Sequence, residues 1–269
     1  MTPTIVVSVP YFGTPKRLLK RAVESALFSS VKPVVVVVAD GGPLHNLSIL
    51  NHPRCVTFVL PQNLGRYFSD NLVIDSLPSE CFWAPLDSDD YVSPLHYSHL
   101  SESLIDGAAV SPTLWGTRRL RRTIVKPVDR QLLDDTDSLE PGAAWVSGLY
   151  SSTRLKLAGG LHPEARVGYD VLFLKLLRMS GRIGIASTAG YHVIRRGNSL
   201  TTARASRHGS EIRQRDQLLR ERVFQRVQAS RPTAPREAVK SLVSSAVLEC
   251  SEYFALQLRP RIRAAARLA

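Results

Sequence analysis

Short apolar runs alternate with amphipathic segments in the N-terminal half of the chain. β-Branched residues fill 4–9 apart from Ser8, and five consecutive valines occupy 34–38, which is typical of strands buried on both faces of a parallel sheet. Between them, 15–27 has apolar residues on one helical face and mostly charged residues on the other, with Thr14 as the expected cap. A strand, a helix and a strand in this order form a βαβ unit. The pattern therefore predicts an α/β fold with an open, mostly parallel sheet.

Two further strands are expected at 55–60 and 82–86, with a helix between them that runs to about residue 77. Another helix is expected to begin near Ser93 and Pro94. In open parallel sheets, ligands bind beyond the carboxyl ends of the strands. The polar residues that fall at those ends are Tyr11, Asp40, Arg66 and the acidic turn at 87–90.

The second half of the chain is less regular at its start. Residues 113–142 lose the periodicity and are expected to form an irregular insertion. Two short strands and two helices are expected afterwards, the strands at 144–150 and 182–186 and the helices from 152 and over 168–179. From residue 210 onward the chain is expected to be helical and basic, with a proline-containing break at 231–235.

The composition is that of a globular protein with a sizeable core. Of 269 residues, 44% are hydrophobic and 22% are charged, so one large domain or two small ones are expected. The three cysteines are widely spaced and form no CxxC pair, which argues against a zinc cluster. The longest apolar run, 33–39, is far shorter than the roughly 20 residues that cross a bilayer, and 1–10 lacks a signal pattern. We therefore expect a cytoplasmic protein.

The formal net charge of +12 is concentrated near the C terminus, where 203–269 contain 14 of the 35 basic residues and 6 of the 23 acidic ones. Such a charge raises the alternative of a nucleic-acid-binding module. Acidic residues interleave with the arginines and aromatic residues are sparse, so we prefer a solvated helical face and expect no nucleic-acid partner. The apolar side of 239–258 is compatible with packing on the rest of the chain, with a homo-oligomer, or with peripheral contact at the inner face of a membrane.

The densest candidate chemistry is the acidic turn Asp87-Ser-Asp89-Asp90, directly after an apolar strand. Carboxylates two residues apart can point the same way, and their hard oxygens suit Mg²⁺ or Mn²⁺ bridging a diphosphate. A solvated acidic turn is the simplest alternative. A second alternative is a phosphatase similar to the haloacid dehalogenases, but there the motif usually follows the first strand, whereas here it follows the fourth and precedes Tyr91.

Several short motifs occur in an order that resembles the family 2 glycosyltransferases, over about three quarters of the chain (4–202). They are Val9-Pro-Tyr11, Val38-Ala-Asp-Gly-Gly42, Asn63-Leu-Gly65 with Asn71, Leu86-Asp-Ser-Asp-Asp90, Leu157-Ala-Gly-Gly-Leu161 and Gly168-Tyr-Asp170. The resemblance implies a GT-A fold with a Rossmann-like nucleotide-sugar-binding half at 1–112, an acceptor-binding half at 113–203 and a basic helical extension at 204–269. It also implies an inverting transfer of a sugar from a nucleotide diphosphate, with UDP as the expected carrier, to a hydroxyl of a glycan, a lipid or a protein.

On the donor side, the resemblance assigns a role to each matching position. The backbone near Pro10 and Tyr11 is expected to pack beside the nucleotide base, and Asp40 and Arg66 are expected to hold the base. Asp87 is expected to contact the ribose.

The resemblance also implies a divalent cofactor, Mn²⁺ or Mg²⁺. Asp89 is the expected ligand, and His192 is a second candidate because relatives often have a histidine or a basic segment at this place. At least one of Arg195, Arg196 and Ser199 is expected to contact the diphosphate, since guanidinium groups match phosphate oxygens.

On the acceptor side, the resemblance implies that Asp170 is the general base. The family usually has an acidic pair here, and Tyr169 replaces its first member, so the assignment depends on one carboxylate. The alternative is an ordinary acidic residue at a helix N terminus. With Asp170 taking the acceptor proton and the metal stabilising the departing diphosphate, the reaction is expected to be a direct displacement with inversion.

Overall fold

A sheet of seven described strands forms the centre of the computed structural model, which describes residues 3–42, 44–45, 47–116, 123–194, 210–230 and 235–269. A second sheet of four described strands lies beside it. The strands, in chain order, are β1 (Ile5–Tyr11), β2 (Val34–Asp40), β3 (Cys55–Leu60), β4 (Phe82–Pro85), β5 (Tyr91–Val92), β6 (Ala108–Val110), β7 (Thr113–Gly116), β8 (Thr123–Lys126), β9 (Gly148–Ser151), β10 (Gly184–Ile185) and β11 (Tyr191–Ile194).

Helices flank the large sheet and form the C-terminal extension. The described α-helices are α1 (Lys16–Leu27), α2 (Arg66–Ser76), α3 (His96–Glu102), α4 (Arg130–Asp134), α5 (Ser152–Ala158), α6 (Asp170–Met179), α7 (Glu211–Ser230), α8 (Pro235–Lys240) and α9 (Ser245–Ala266).

The large sheet has the order β10-β6-β9-β4-β1-β2-β3. β1 is parallel to both β2 and β4, β2 is parallel to β3, and β6 is parallel to β10. β9 is antiparallel to its neighbours β4 and β6. The predicted α/β fold with an open, mostly parallel sheet is therefore confirmed.

The valine run forms β2, which lies between β1 and the edge strand β3, and the run is fully buried. Because side chains alternate across a strand, Val34, Val36 and Val38 belong to one core cluster and Val35 and Val37 to the other. The apolar face of α1 packs in the second of these clusters, and α2 packs in the first. Burial on both faces explains why this strand carries no polar residue before Asp40.

The prediction of an irregular segment at 113–142 was wrong for three elements. β7 and β8 form an antiparallel pair, and β7 also pairs with β11 in parallel, within the sheet β5-β11-β7-β8. α4 follows, with the Asp129 carboxylate accepting a hydrogen bond from the Leu132 N–H at 3.0 Å. These strands are short, and β7 pairs with a strand far along the chain, so local periodicity gave no signal for them.

The predicted cap of α1 was also wrong. The helix begins at Lys16 after Pro15, with no side-chain cap. The Thr14 hydroxyl instead shares a 2.6 Å hydrogen bond with the hydroxyl of Ser88. The loop after β1 is thereby joined to the acidic turn after β4.

The C-terminal extension packs on the large sheet through α9. Its apolar side contacts α2 and β3, where Phe254 meets Phe58 edge to face with ring centroids 5.8 Å apart. The Ser251 hydroxyl donates to Asp75 of α2 at 3.2 Å. Packing on the rest of the chain, one of the three arrangements expected for this segment, is therefore confirmed. None of the described helices has both the length and the apolar character needed to cross a membrane.

Two leucines of α9 allow this packing to be tested. Leu258 is fully buried, whereas Leu256 is 61% exposed. We expect Leu258→Ala to lower the free energy of unfolding by about 2–5 kcal/mol, because it leaves a cavity in the core. Leu256→Ala should change it by no more than about 0.5 kcal/mol. Urea unfolding of both variants measures the difference, and equal effects would contradict the docking of α9 on α2.

Candidate functional site

Asp40, at the end of β2, holds the turn that leads into α2. Its two carboxylate oxygens accept hydrogen bonds from the backbone N–H groups of Leu64, at 2.6 Å, and Gly65, at 2.8 Å. Gly65 has a φ of +97°, a conformation that suits glycine. Burial raises the pKa of Asp40, and these two hydrogen bonds act to lower it. Asp40 therefore fixes the turn beside the predicted nucleotide site, and its contact with a base stays a prediction.

Pro10 and Tyr11 end β1 and lie beside the end of β2, in register with Val38 and Ala39. Tyr11 is buried and packs edge to face on His45, with ring centroids 5.6 Å apart. The structure thus brings the expected base-side residues to one edge of the sheet.

Arg66 opens α2 and lies between two carboxylates. One of its terminal nitrogens contacts Asp87 of the acidic turn, and its Nε lies 3.4 Å from Asp70 Oδ2, one helical turn away. Its guanidinium group also lies over the ring of Trp145, 4.6 Å from the centroid. Burial lowers the pKa of Arg66, but Asp87 and Asp70 outweigh it and hold this pKa well above the ordinary value. Arg66 is therefore a permanent cation beside the acidic turn.

Asp70 was missed by the sequence analysis. It is fully buried, and its Oδ1 accepts a 2.5 Å hydrogen bond from the Ser8 hydroxyl, which in turn accepts one from the Trp83 indole at 2.9 Å. Burial raises the pKa of Asp70 to about 7, although Arg66 acts to lower it. The spacing of Arg66 and Asp70, four residues apart on a helix, was the available signal.

The acidic turn brings three carboxylates together. Asp87, Asp89 and Asp90 offer ligand oxygens that all lie within 4.8 Å of one another. Burial raises the pKa of Asp90 well above its ordinary value, and the charges of Asp87 and Asp89 raise it further. Hard oxygens at this spacing suit Mg²⁺ or Mn²⁺, which would also relieve the repulsion between the three groups.

β11 holds the acidic turn through two hydrogen bonds. The Tyr191 hydroxyl accepts a hydrogen bond from the Asp87 N–H at 3.0 Å, and Asp90 Oδ1 accepts one from the Ile194 N–H at 2.7 Å. The conformation of the turn is therefore set by a strand about a hundred residues away, which local sequence does not reveal.

His192 lies next to the turn but makes other contacts. Its ring stacks on Tyr91 with centroids 4.3 Å apart, and its Nε2 lies 2.8 Å from the Ser93 hydroxyl. Burial lowers the pKa of His192, and Arg21 lowers it further. In the part of the chain that the structure describes, the group of ligand oxygens consists of the three aspartates, and a metal contact by His192 stays a prediction. The predicted diphosphate residues Arg195, Arg196 and Ser199 lie outside the described residues.

Asp170 is the first residue of α6 and lies within the electrostatic reach of Arg66. Burial raises its pKa, and the positive charges of Arg66, Arg220 and Arg213 act to lower it. The preceding residue, Tyr169, is fully buried, and its N–H donates to the Tyr67 hydroxyl of α2 at 3.1 Å. α2 therefore positions both Arg66 and the start of α6, which links the acidic turn to Asp170.

Comparison with known proteins adds a fold assignment. No protein-family model matches the sequence, and no curated protein matches it in sequence. Among solved structures, S. aureus TarS 1–349 matches with a TM-score of 0.55 and 16% identity, over 98% of this chain and 90% of the other. The same TarS fragment in complex with UDP-GlcNAc matches with a TM-score of 0.57 and 15% identity, at the same coverage.

A longer TarS structure matches with a TM-score of 0.56 and 17% identity, and this chain covers 55% of it. The likeness extends over nearly the whole of the present chain, extension included. At this level of identity it is a likeness of fold. The protein therefore has a GT-A-like α/β fold, as the sequence predicted.

Proposed function

We propose that this chain is an inverting, family 2 glycosyltransferase that moves a sugar from a nucleotide diphosphate to an acceptor hydroxyl. The observation that carries the proposal is the convergence of Asp87, Asp89 and Asp90 beside Arg66 at one edge of the sheet. Such an edge is where open α/β sheets bind ligands. The GT-A-like fold, which the chain shares with a protein crystallised with UDP and with UDP-GlcNAc, supports it.

On the donor side, Asp87 and Asp89 would hold Mn²⁺ or Mg²⁺, and Asp90 would keep the turn in place through its bond to Ile194. A divalent ion there supplies charge stabilisation to the departing diphosphate. Arg66 lies beside this group as a fixed cation and is available to the nucleotide half of the donor. UDP is the carrier we propose, because Pro10, Tyr11 and Asp40 occupy the base-side edge and TarS binds UDP.

On the acceptor side, Asp170 would take the proton from the hydroxyl of a glycan, a lipid or a protein. A general base must be ionised before the reaction, and burial alone works against this. The charges of Arg66, Arg220 and Arg213 favour the ionised carboxylate. Attack from the face opposite the diphosphate would invert the anomeric centre, with no covalent intermediate on the protein.

Donor binding can be tested by thermal shifts with UDP, GDP, CDP and dTDP, each with and without Mn²⁺. We expect a selective, Mn²⁺-dependent rise with UDP, worth about 2.7 kcal/mol at one hundred times Kd. Asp89→Ala should abolish the rise without lowering the melting temperature of the free protein, because removing one of three clustered carboxylates relieves repulsion.

The matched control is Glu140→Ala, which removes an exposed carboxylate and should leave the UDP shift unchanged. No selective shift with any nucleotide would contradict the proposed donor site. A full shift in Asp89→Ala would contradict the metal-binding role of the turn.

The proposed base can be tested with Asp170→Asn. Water serves as the acceptor in this assay, and release of UDP from UDP-GlcNAc is measured. We expect the rate to fall by about 10²–10⁴-fold, because the amide cannot take a proton. Binding of UDP, measured by calorimetry, should stay within about twofold of the unmodified protein. A near-normal rate would place the base elsewhere in the chain.

A further inference from the structure

A buried carboxylate of the C-terminal extension holds the loop that leads into Asp170. Asp216 lies on α7 and is 1% exposed. Its Oδ2 accepts hydrogen bonds from the backbone N–H groups of Arg166 and Val167, both at 2.7 Å. Two consecutive N–H groups that point to one oxygen fix the direction of the chain three residues before Asp170. The local role of Asp216 thus resembles that of Asp40, whose oxygens hold the turn before α2.

Further contacts hold Asp216 and its helix in place. The second oxygen of Asp216 accepts hydrogen bonds from the neighbouring Arg215, at 2.9 and 3.1 Å. About two and three turns further along α7, Val223 and Val227 are buried in the core cluster that also contains Phe173 of α6. A buried carboxylate that is paired and hydrogen-bonded on a packed helix can define a position for the backbone that it contacts.

The same helix brings positive charge to the start of α6. Arg220 lies four residues after Asp216. Its guanidinium group packs against Gly168, and a Cβ added to this glycine would lie 3.7 Å from the guanidinium carbon. Gly168 has a φ of +73° and lies two residues before Asp170. Burial raises the pKa of Asp170, and the charge of Arg220 acts against this. α7 therefore both holds the loop before Asp170 and brings a positive charge close to it.

We propose that α7 is part of the catalytic apparatus, with Asp216 as a positioning residue that sets the loop before Asp170 and Arg220 as a positive charge that α7 places beside the start of α6, in addition to that of Arg66. This inference rests on the proposed role of Asp170 as the base. It gives the arginine-rich first helix of the extension a function inside the enzyme, in place of the solvated helical face expected from its composition.

The positioning role is tested with Asp216→Ala and Asp216→Asn, with Glu211→Ala as the control for an exposed carboxylate at the start of the same helix. Hydrogen exchange of 162–170, UDP binding and UDP release from UDP-GlcNAc are measured in each. Asp216→Ala should speed exchange in the loop and slow UDP release at least about tenfold, with UDP binding within twofold. Asp216→Asn should recover most of the rate, since its amide oxygen still accepts both N–H groups. Glu211→Ala should behave like the unmodified protein.

Arg220→Gln tests the charge contribution without disturbing the Asp216 contacts. Removing a positive charge raises the pKa of Asp170, so the acidic limb of the pH profile for UDP release should move to higher pH. The matched control is Arg222→Gln, an exposed arginine of the same helix, which should leave the limb in place. An unmoved limb in Arg220→Gln would overturn the role of Arg220.

The outcomes separate this inference from the proposed function. If the unmodified protein neither binds UDP nor releases it from UDP-GlcNAc, the proposed function fails and the role of α7 fails with it. If the unmodified protein is active and Asp216→Ala is equally active, only the positioning role is overturned. If both Asp216→Ala and Asp216→Asn lose UDP binding, the protein is destabilised as a whole, and the positioning role is likewise overturned.

Discussion

The ion pairs of Arg66 are the interaction on which the site depends. A guanidinium group inside a protein needs carboxylate partners, because an uncompensated buried charge costs several kcal/mol. Asp70 supplies one partner from the next turn of α2, and Asp87 supplies the other from the turn after β4. The Ser8 and Trp83 hydrogen bonds anchor Asp70 to two strands of the sheet. The buried core therefore fixes the position of the Arg66 guanidinium group beside the acidic turn.

The two walls of the site are each held by side-chain oxygens that bind backbone N–H groups. Asp40 binds the turn before α2, Asp216 binds the loop before α6, and Asn71 Oδ1 accepts from the Leu161 N–H at 3.0 Å. Arg166 joins the two walls through a 3.2 Å hydrogen bond to the side-chain oxygen of Asn63. Loops in such an arrangement keep their geometry without regular secondary structure, which is what a site assembled from strand ends requires.

Much of the framework around the acidic turn could be predicted from the sequence, since each part has a local signature. The valine run specifies a strand buried on both faces, and β3 was predicted with its observed bounds. The acidic turn follows an apolar strand, which identified Asp87 and Asp89 as neighbours at a sheet edge. The strands β7 and β8 were not predicted, because short strands acquire their stability from partners and not from their own residues.

The sequence by itself determined the first four strands of the large sheet, the helices between them and the residue types at the strand ends, because apolar periodicity and turn residues act over a few positions. Only the tertiary structure decided which polar groups come into contact. Ser8 and Asp70 are 62 residues apart, and Asp216 and Val167 are 49 apart, yet each pair is in hydrogen-bond contact. Such contacts depend on how packed elements bring distant segments together, and a buried polar group accepts whichever partner that packing supplies.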